Sequence, residues 1–476
     1  MSSLQKIFLI LCAICLATQA GASLIEYFHE VSEGARFGGD FISFWDAAHR
    51  VRHGDIAAIY DSDKWRTILS TTTGPVTLSW FVYPPIALFG LWPLGNATYN
   101  EAVLAWSLFP LAFYFALIVL LAKRSGLGAG VNPAAENNWS RPQAYAVLVA
   151  FCLPFLGANL FSGQTGVITA VFFLGTAYFW PTRPVLAGIC IGLLVIKPQM
   201  GLLMPFALIA FRQWRIFAAA AVTVLCLIIL STIWLGTAIW IEYFRMSQLF
   251  SHFIGRGYDQ IKQLAVSPYV SLQGAGMPVV LATLLQVVVS VAVLTVIIRS
   301  FWQWKSGEKE FGKKDGRLDL RLALLAAGTL LTTPYALSYD TPLLMLSVIP
   351  LLARNWREGW DGIELASVTA LLILPYAQLL AASVHIPIAF LALSLWFWVI
   401  YRRFQKERPT PPLGLQIPRS GSEGDEPSRP GNATRLSHSL KMRPFVGPGA
   451  YSRTAWMGEC TAATSFRSKP SRCCTT

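Results

Sequence analysis

The groups best suited to moving a proton crowd into one stretch of this 476-residue chain. Residues 23–80 hold eight carboxylates against five Lys/Arg, together with three of the six histidines, His29, His49 and His53. Behind Gly38-Gly39, Asp40 opens a run in which Phe41, Phe44, Trp45, Ala48 and Val51 recur at helical spacing. That pattern predicts an amphipathic helix lying at a membrane surface. Two compatible roles are open to a carboxylate at its start. Asp40 can cap free main-chain N–H groups, worth about 1 kcal/mol. It can also act as a general base, because a carboxylate partly desolvated by aromatic and lipid surface has its pKa raised towards a useful range. Asp46 lies about 240° around the same helix and need not form an acid/base pair with it.

Other residues stand out by context. Lys197 interrupts an apolar stretch; an ionisable group at membrane depth is costly and marks a functional position unless it snorkels to the interface. At an outward hairpin tip its ammonium would suit a phosphate. Gln164, beside Gly163 and Gly166, reads either as part of a plain turn or as a ligand for hydroxyls. His252, Arg256 and Lys262 are weaker candidates for an anionic ligand. Metalloprotease, P-loop, dinucleotide and serine-hydrolase signatures do not occur, and the eight cysteines suggest neither a disulfide framework nor a metal site.

The elements that must position these groups are membrane helices. The chain is 54% hydrophobic and 13% charged, with mean hydropathy +0.50, whereas soluble domains are about a quarter charged. The formal charge of +13 does not point to nucleic acid, because residues 401–476 carry 13 Lys/Arg against 5 Asp/Glu. Long apolar runs fall near 6–22, 101–122, 143–160, 165–181, 216–240, 279–299, 363–380 and 386–402. Residues 7–20 also fit a cleaved signal peptide. The positive-inside rule places Lys123-Arg124, Arg183, Arg212 to Arg215, Arg299 to Arg321, Arg354 to Arg357 and Arg402-Arg403 in the cytoplasm.

Two segments, 183–212 and 321–354, have basic residues at both ends, so each is expected to enter the bilayer and return. Their turning points are Lys197-Pro198-Gln199 and Thr333-Pro334-Tyr335 through Tyr339-Asp340. Each would split into half-helices too short to cross unaided but able to line a cavity. A single proline-kinked helix is the plainer reading of the first. Residues 81–95 are treated as dipping into the membrane without spanning it.

The expected fold is an all-α polytopic membrane protein of about eight full spans plus two half-helix hairpins, both termini cytoplasmic. It divides into a first transmembrane helix (1–22), an extracytoplasmic loop bearing the candidate catalytic Asp (23–80), a multi-span domain (81–402) and a disordered basic cytoplasmic tail (403–476). The polar, punctuated segments all fall on the extracytoplasmic side. The short basic cytoplasmic loops show no constellation of chemical interest.

Taken in order, Gly39-Asp40-Phe41 with Trp45, Ala47-Ala48, Gly54 and Tyr60-Asp61, Phe81-Val82-Tyr83-Pro84-Pro85, Gly163-Gln164-Thr165-Gly166, Ala187-Gly188 with Lys197-Pro198-Gln199, and Thr333-Pro334-Tyr335 with Tyr339-Asp340 resemble glycosyltransferase family 87, the bacterial polyprenol-phosphate-mannose-dependent mannosyltransferases of GT-C membrane fold. The likeness runs from about residue 36 to 355. It implies inverting transfer of a hexose, typically mannose, from a polyprenyl phosphate carrier to a lipid or glycan acceptor on the outer face of the plasma membrane. The lipid-linked sugar is a substrate, and neither a metal nor another cofactor is implied. By resemblance Asp40 matches the family's general base. Trp45, Tyr83, Gln164, Lys197, Gln199, Tyr335, Tyr339 and Asp340 are the candidate substrate-binding residues. Some members carry a histidine in the late segment that here reads Ser338-Tyr339-Asp340, so the acceptor is not carried over.

Two other functions fit parts of the same pattern. Paired half-helices also occur in transporters and flippases of lipid-linked or anionic substrates. An envelope-assembly protein could keep an enzyme-like fold without catalysis. Partners common to these readings are membrane lipids, and not nucleic acid.

Overall fold

A computed structural model of the chain describes residues 38–71, 80–127, 141–255, 265–302, 317–359, 361–382 and 385–407, with five isolated positions among the first 25. The chain separates into two units, 1–410 and 411–476, and everything below concerns the first. The expected first transmembrane helix and the tail beyond residue 407 lie outside the described residues, as do Arg256 and Lys262.

Among the described residues of this unit the regular structure is helical, save one isolated bridge between Ala265 and Leu337. In chain order the helices are α1 (Phe41–His53), α2 (Ser62–Thr71), α3 (Ala87–Leu91), α4 (Tyr99–Arg124), α5 (Arg141–Ser162), α6 (Gly166–Phe179), α7 (Pro184–Leu193), α8 (Met204–Ala210), α9 (Trp214–Leu235), α10 (Ala238–Gly255), α11 (Pro268–Gly274), α12 (Val279–Trp302), α13 (Leu318–Thr332), α14 (Met345–Glu358), α15 (Gly362–Ala382) and α16 (Ile388–Lys406). Three of them, α4, α9 and α12, are long and apolar enough to cross a bilayer. Their outward residues are themselves apolar: Phe109 is 69% exposed, Ile233 76% and Val280 72%. A soluble protein would not present such stripes to water, and lipid is the solvent that accepts them. The chain is a membrane protein.

Residues 81–95 form no span. α3 and the tighter turn after it, Trp92–Asn96, make ten helical residues at most, about 15 Å of rise, and they pack beneath α1.

Both basic-flanked segments turn back on themselves. In the first, α7 and a single turn to Ile196 break at Lys197, and Pro198–Gly201 leads into α8. A side chain on Gly188 would strike Ile216 and Ala219 of α9, and one on Gly192 would strike Thr223. α7 and α9 therefore run in the same direction, so the chain reverses between them and residues 184 and 214 lie at the same end. In the second, Arg354 at the end of α14 grips Asp319 at the start of α13 with two bonds of 2.7 and 3.0 Å. That bond pair closes the hairpin at its base. Its tip, Thr333 to Leu344, touches the first hairpin: the Thr333 hydroxyl donates to the Gln199 carbonyl at 3.2 Å.

α16 continues through Lys406, past the residue 403 expected to begin the tail. Arg403 is buried and ion-paired with Glu358, Glu364 and Glu407, an anchoring that a disordered segment would lack.

Candidate active site

Asp40 sits on a tight turn made by Gly38 and Gly39, both at positive φ. The Phe41 and Ile42 amides fold back on the carbonyls of Gly38 and Gly39. The expected cap is not formed. Asp40 has near-helical φ/ψ and its carboxylate makes no bond to the α1 main chain. At the next helix, α2, an aspartate does sit in that position: Asp61 Oδ1 accepts the Lys64 amide at 2.9 Å. The Asp40 side chain instead points away from its own helix to Gln164, whose Nε2 donates to Oδ2 at 2.7 Å.

The apolar face predicted for α1 is what fixes this aim. Phe41, Phe44, Ala48 and Val51 are buried against Phe81, Tyr83, Leu88, Tyr99 and Val103, not spread on a lipid surface. Trp106 of α4 lies over Phe41 and Phe44 with ring centroids 5.7 and 5.1 Å away, and its indole N–H donates to the Gly163 carbonyl at 2.9 Å. Gly163 takes φ +62°, and a Cβ there would lie 2.5 Å from the Gly38 carbonyl. The two glycine turns thus meet backbone to backbone, which brings Asp40 and Gln164 together across 124 residues.

From Gln164 the polar contacts run inward. The Tyr83 hydroxyl donates to Gln164 Oε1 at 2.9 Å and stands 2.9 Å from the Thr165 hydroxyl. Tyr60, fully buried, donates to the Tyr83 carbonyl at 2.5 Å. Asn159 Nδ2 donates to the Gln164 carbonyl at 3.0 Å and to the Tyr339 carbonyl at 3.3 Å. Gly166 admits the second hairpin at this point, because a Cβ there would overlap the Tyr339 carbonyl. Asp40, Tyr83 and Asp340 all lie within electrostatic reach of the Tyr339 phenol.

Lys197 does not project from a hairpin tip. It is 5% exposed, its ammonium pairs with Asp340, and it lies 4.9 Å from the centre of the Tyr339 ring. Asp340 is fully buried and also accepts the Leu337 amide at 3.3 Å. The physical reason is cost: an unpaired ammonium at this depth loses several kcal/mol of hydration, and a carboxylate from the other hairpin offsets it. In this structure the Lys197 ammonium is therefore committed to Asp340.

The other candidates are placed less centrally. The Trp45 indole N–H is committed to the Ala97 carbonyl at 3.1 Å and its ring stacks on His49. Gln199 contributes its main-chain carbonyl to the hairpin contact. Tyr335 packs edge-on against Tyr269 of α11, with its hydroxyl 3.5 Å from Ser251 of α10. Asp46 is occupied by Arg50 at 2.7 Å. His252 is exposed on α10. Asn159 and Trp106 join the site without having been foreseen, a lone Asn and Trp within apolar runs being the available signals; Thr165 had been noted only as part of the Gly163–Gly166 motif.

Chemically, Asp40 has the attributes of a base. Its surface opens to solvent while neighbouring atoms crowd the carboxyl. That desolvation pushes its pKa above the ordinary 3.8, and the Gln164 bond, which favours the charged form, offsets part of the rise. With Oδ2 held by Gln164, Oδ1 has no partner among the described residues and can accept a proton. No group of three or more His, Cys, Asp or Glu among the described residues is placed to hold a metal.

Fold and site together define a helical membrane protein with a carboxylate presented at a polar, aromatic-lined junction where the turn between α5 and α6 meets the second hairpin. The chain belongs to glycosyltransferase family 87, whose family model matches residues 81–334, more than half of its length; it is a membrane glycosyltransferase. No curated protein and no solved structure matches it. The match begins after Asp40 and takes in Tyr83, Gln164, Lys197 and Gln199. Asp40 is tied to that region through its bond to Gln164.

Proposed function

We propose that this glycosyltransferase moves a hexose, mannose in the leading case, from a polyprenyl phosphate carrier to a lipid or glycan acceptor at the extracytoplasmic face of the plasma membrane, with inversion and with Asp40 as general base. The observation that carries the proposal is the single oriented carboxylate. An inverting transfer needs one base, placed to take the proton of the attacking hydroxyl as that oxygen bonds to the anomeric carbon. The bond from that carbon to the phosphate oxygen breaks as the new one forms, through an oxocarbenium-like state, and the electron pair leaves with the polyprenyl phosphate. Gln164 clamps one carboxylate oxygen and aims the other. Tyr83, Thr165 and Asn159 hold Gln164 in turn. The buried Lys197–Asp340 pair fixes the Tyr339 side of the junction.

Purified protein in lipid discs, supplied with acceptor lipids extracted from a deletion strain, tests the donor. Transfer is expected from polyprenyl-phosphate mannose and not from a nucleotide sugar. Direct use of the nucleotide sugar, or an envelope glycan profile unchanged by the deletion, would overturn the reading.

A further inference from the structure

The pole of the bundle opposite Asp40 holds a cavity. α4 sets the separation. Gly38 lies against Tyr99 and Val103 at its beginning, and Arg124 ends it 25 residues after Tyr99, about 37 Å along the axis. At that far end, between the tips of α4, α6, α13 and α14, is a cavity of about 350 Å³, within the range that holds a small ligand. Leu121, Leu322 and Ile349 are among its apolar lining residues, and its charged ones are Arg124, Arg354, Arg357 and Asp319.

The three arginines are not equivalent. Arg354 is largely buried and compensated, bonded to Asp319 twice and to Glu407 at 2.7 Å, so it is part of the wall. Arg124 and Arg357 are exposed. Arg124 donates to the Tyr178 carbonyl at 3.0 Å and Arg357 to the Ser125 carbonyl at 3.3 Å. Gly126, at φ +76°, leaves room for the Arg357 guanidinium 3.1 Å from where a Cβ would stand. Main-chain carbonyls orient these two side chains without neutralising them, and among the described residues neither meets a carboxylate. Two oriented, uncompensated guanidiniums beside an apolar lining have the form of a site for a phosphate joined to a hydrocarbon chain. Charge asymmetry puts this pole on the cytoplasmic side, where basic pockets between membrane helices meet anionic headgroups.

We propose that this cavity binds an anionic phospholipid, its phosphate between Arg124 and Arg357 and an acyl chain against the Leu121, Leu322 and Ile349 surface. The inference does not depend on the sugar donor or on Asp40.

Thermal unfolding of the purified full chain in a neutral detergent tests it, with phosphatidylglycerol, phosphatidylcholine or inorganic phosphate added separately. Phosphatidylglycerol is expected to raise the midpoint by several degrees more than phosphatidylcholine, and inorganic phosphate to leave it unchanged. R124Q/R357Q, at two exposed positions, is expected to unfold normally in phosphatidylcholine and to lose the extra response. Equal stabilisation by the two lipids, a response retained by the double variant, or the same shift from inorganic phosphate alone would each overturn the lipid site. Native mass spectrometry of the unmodified chain gives a readout free of any folding defect: retention of phosphatidylglycerol over phosphatidylcholine is expected, and no preference contradicts the proposal.

Discussion

At the scale of single residues, the account turns on how Asp40 is held. Burial raises its pKa and Gln164 lowers it, so the sign of a substitution can be worked out. With Asp40 as the proposed base, the acid limb of the kcat/KM profile should lie above the ordinary carboxylate value. Gln164→Leu removes a bond that favours the charged form, and should move the limb to higher pH while lowering the plateau by roughly tenfold, as expected for losing about 1.4 kcal/mol of positioning. A limb that stays in place or moves down would show that Gln164 does not act on Asp40. Asp40 was legible from its place in an acidic, aromatic loop, because residue type and helical spacing are local properties. Its partner was not, since no spacing rule connects positions 40 and 164. The same distance blindness turned Lys197 and Asp340, 143 residues apart, into separate candidates when they are one ion pair.

At the scale of elements, the two hairpins were readable because a membrane imposes parity: basic residues at both ends of a segment force it to return. The parallel run of α7 and α9 and the Arg354–Asp319 clasp show those returns. What charge parity could not supply was the docking of the second hairpin, on the first through one buried ion pair and on α6 through one missing Cβ. Gly166→Ala should push the Tyr339 carbonyl off Asn159, and a shift near 1 Å at a reacting centre can cost about a hundredfold in rate. Wild-type kcat in that variant would remove Tyr339 from the site. Lys197→Met should destabilise by about 3–5 kcal/mol, because it strands a buried carboxylate. The double change Lys197→Met/Asp340→Leu should recover most of that stability without recovering activity. If the double variant is less stable than the single one, as read by thermal unfolding in detergent, the pair is not coupled as described.

At the scale of the whole molecule, the bundle has two poles: a carboxylate-bearing junction at one end of α4 and an arginine-lined cavity at the other. Arg124 and Arg357 were visible in the sequence only as markers of topology. Their convergence from α4 and α14 is a property of packing, so the cavity could not be foreseen. The loop helix α1 illustrates the converse: its apolar stripe was legible, but the stripe faces Phe81, Tyr99 and Val103 instead of lipid, because periodicity tells that a face is buried and not against what. The central claim is that one oriented carboxylate drives transfer of a lipid-linked sugar. The most direct measurement is the initial rate of hexose transfer from polyprenyl-phosphate mannose by purified Asp40→Asn protein, in parallel with the unmodified chain and at matched unfolding temperature. Asn keeps the Gln164 contact but cannot take a proton, so the rate should fall by about 10²–10⁴-fold with donor binding retained. A rate within a few fold of the unmodified protein would contradict the claim.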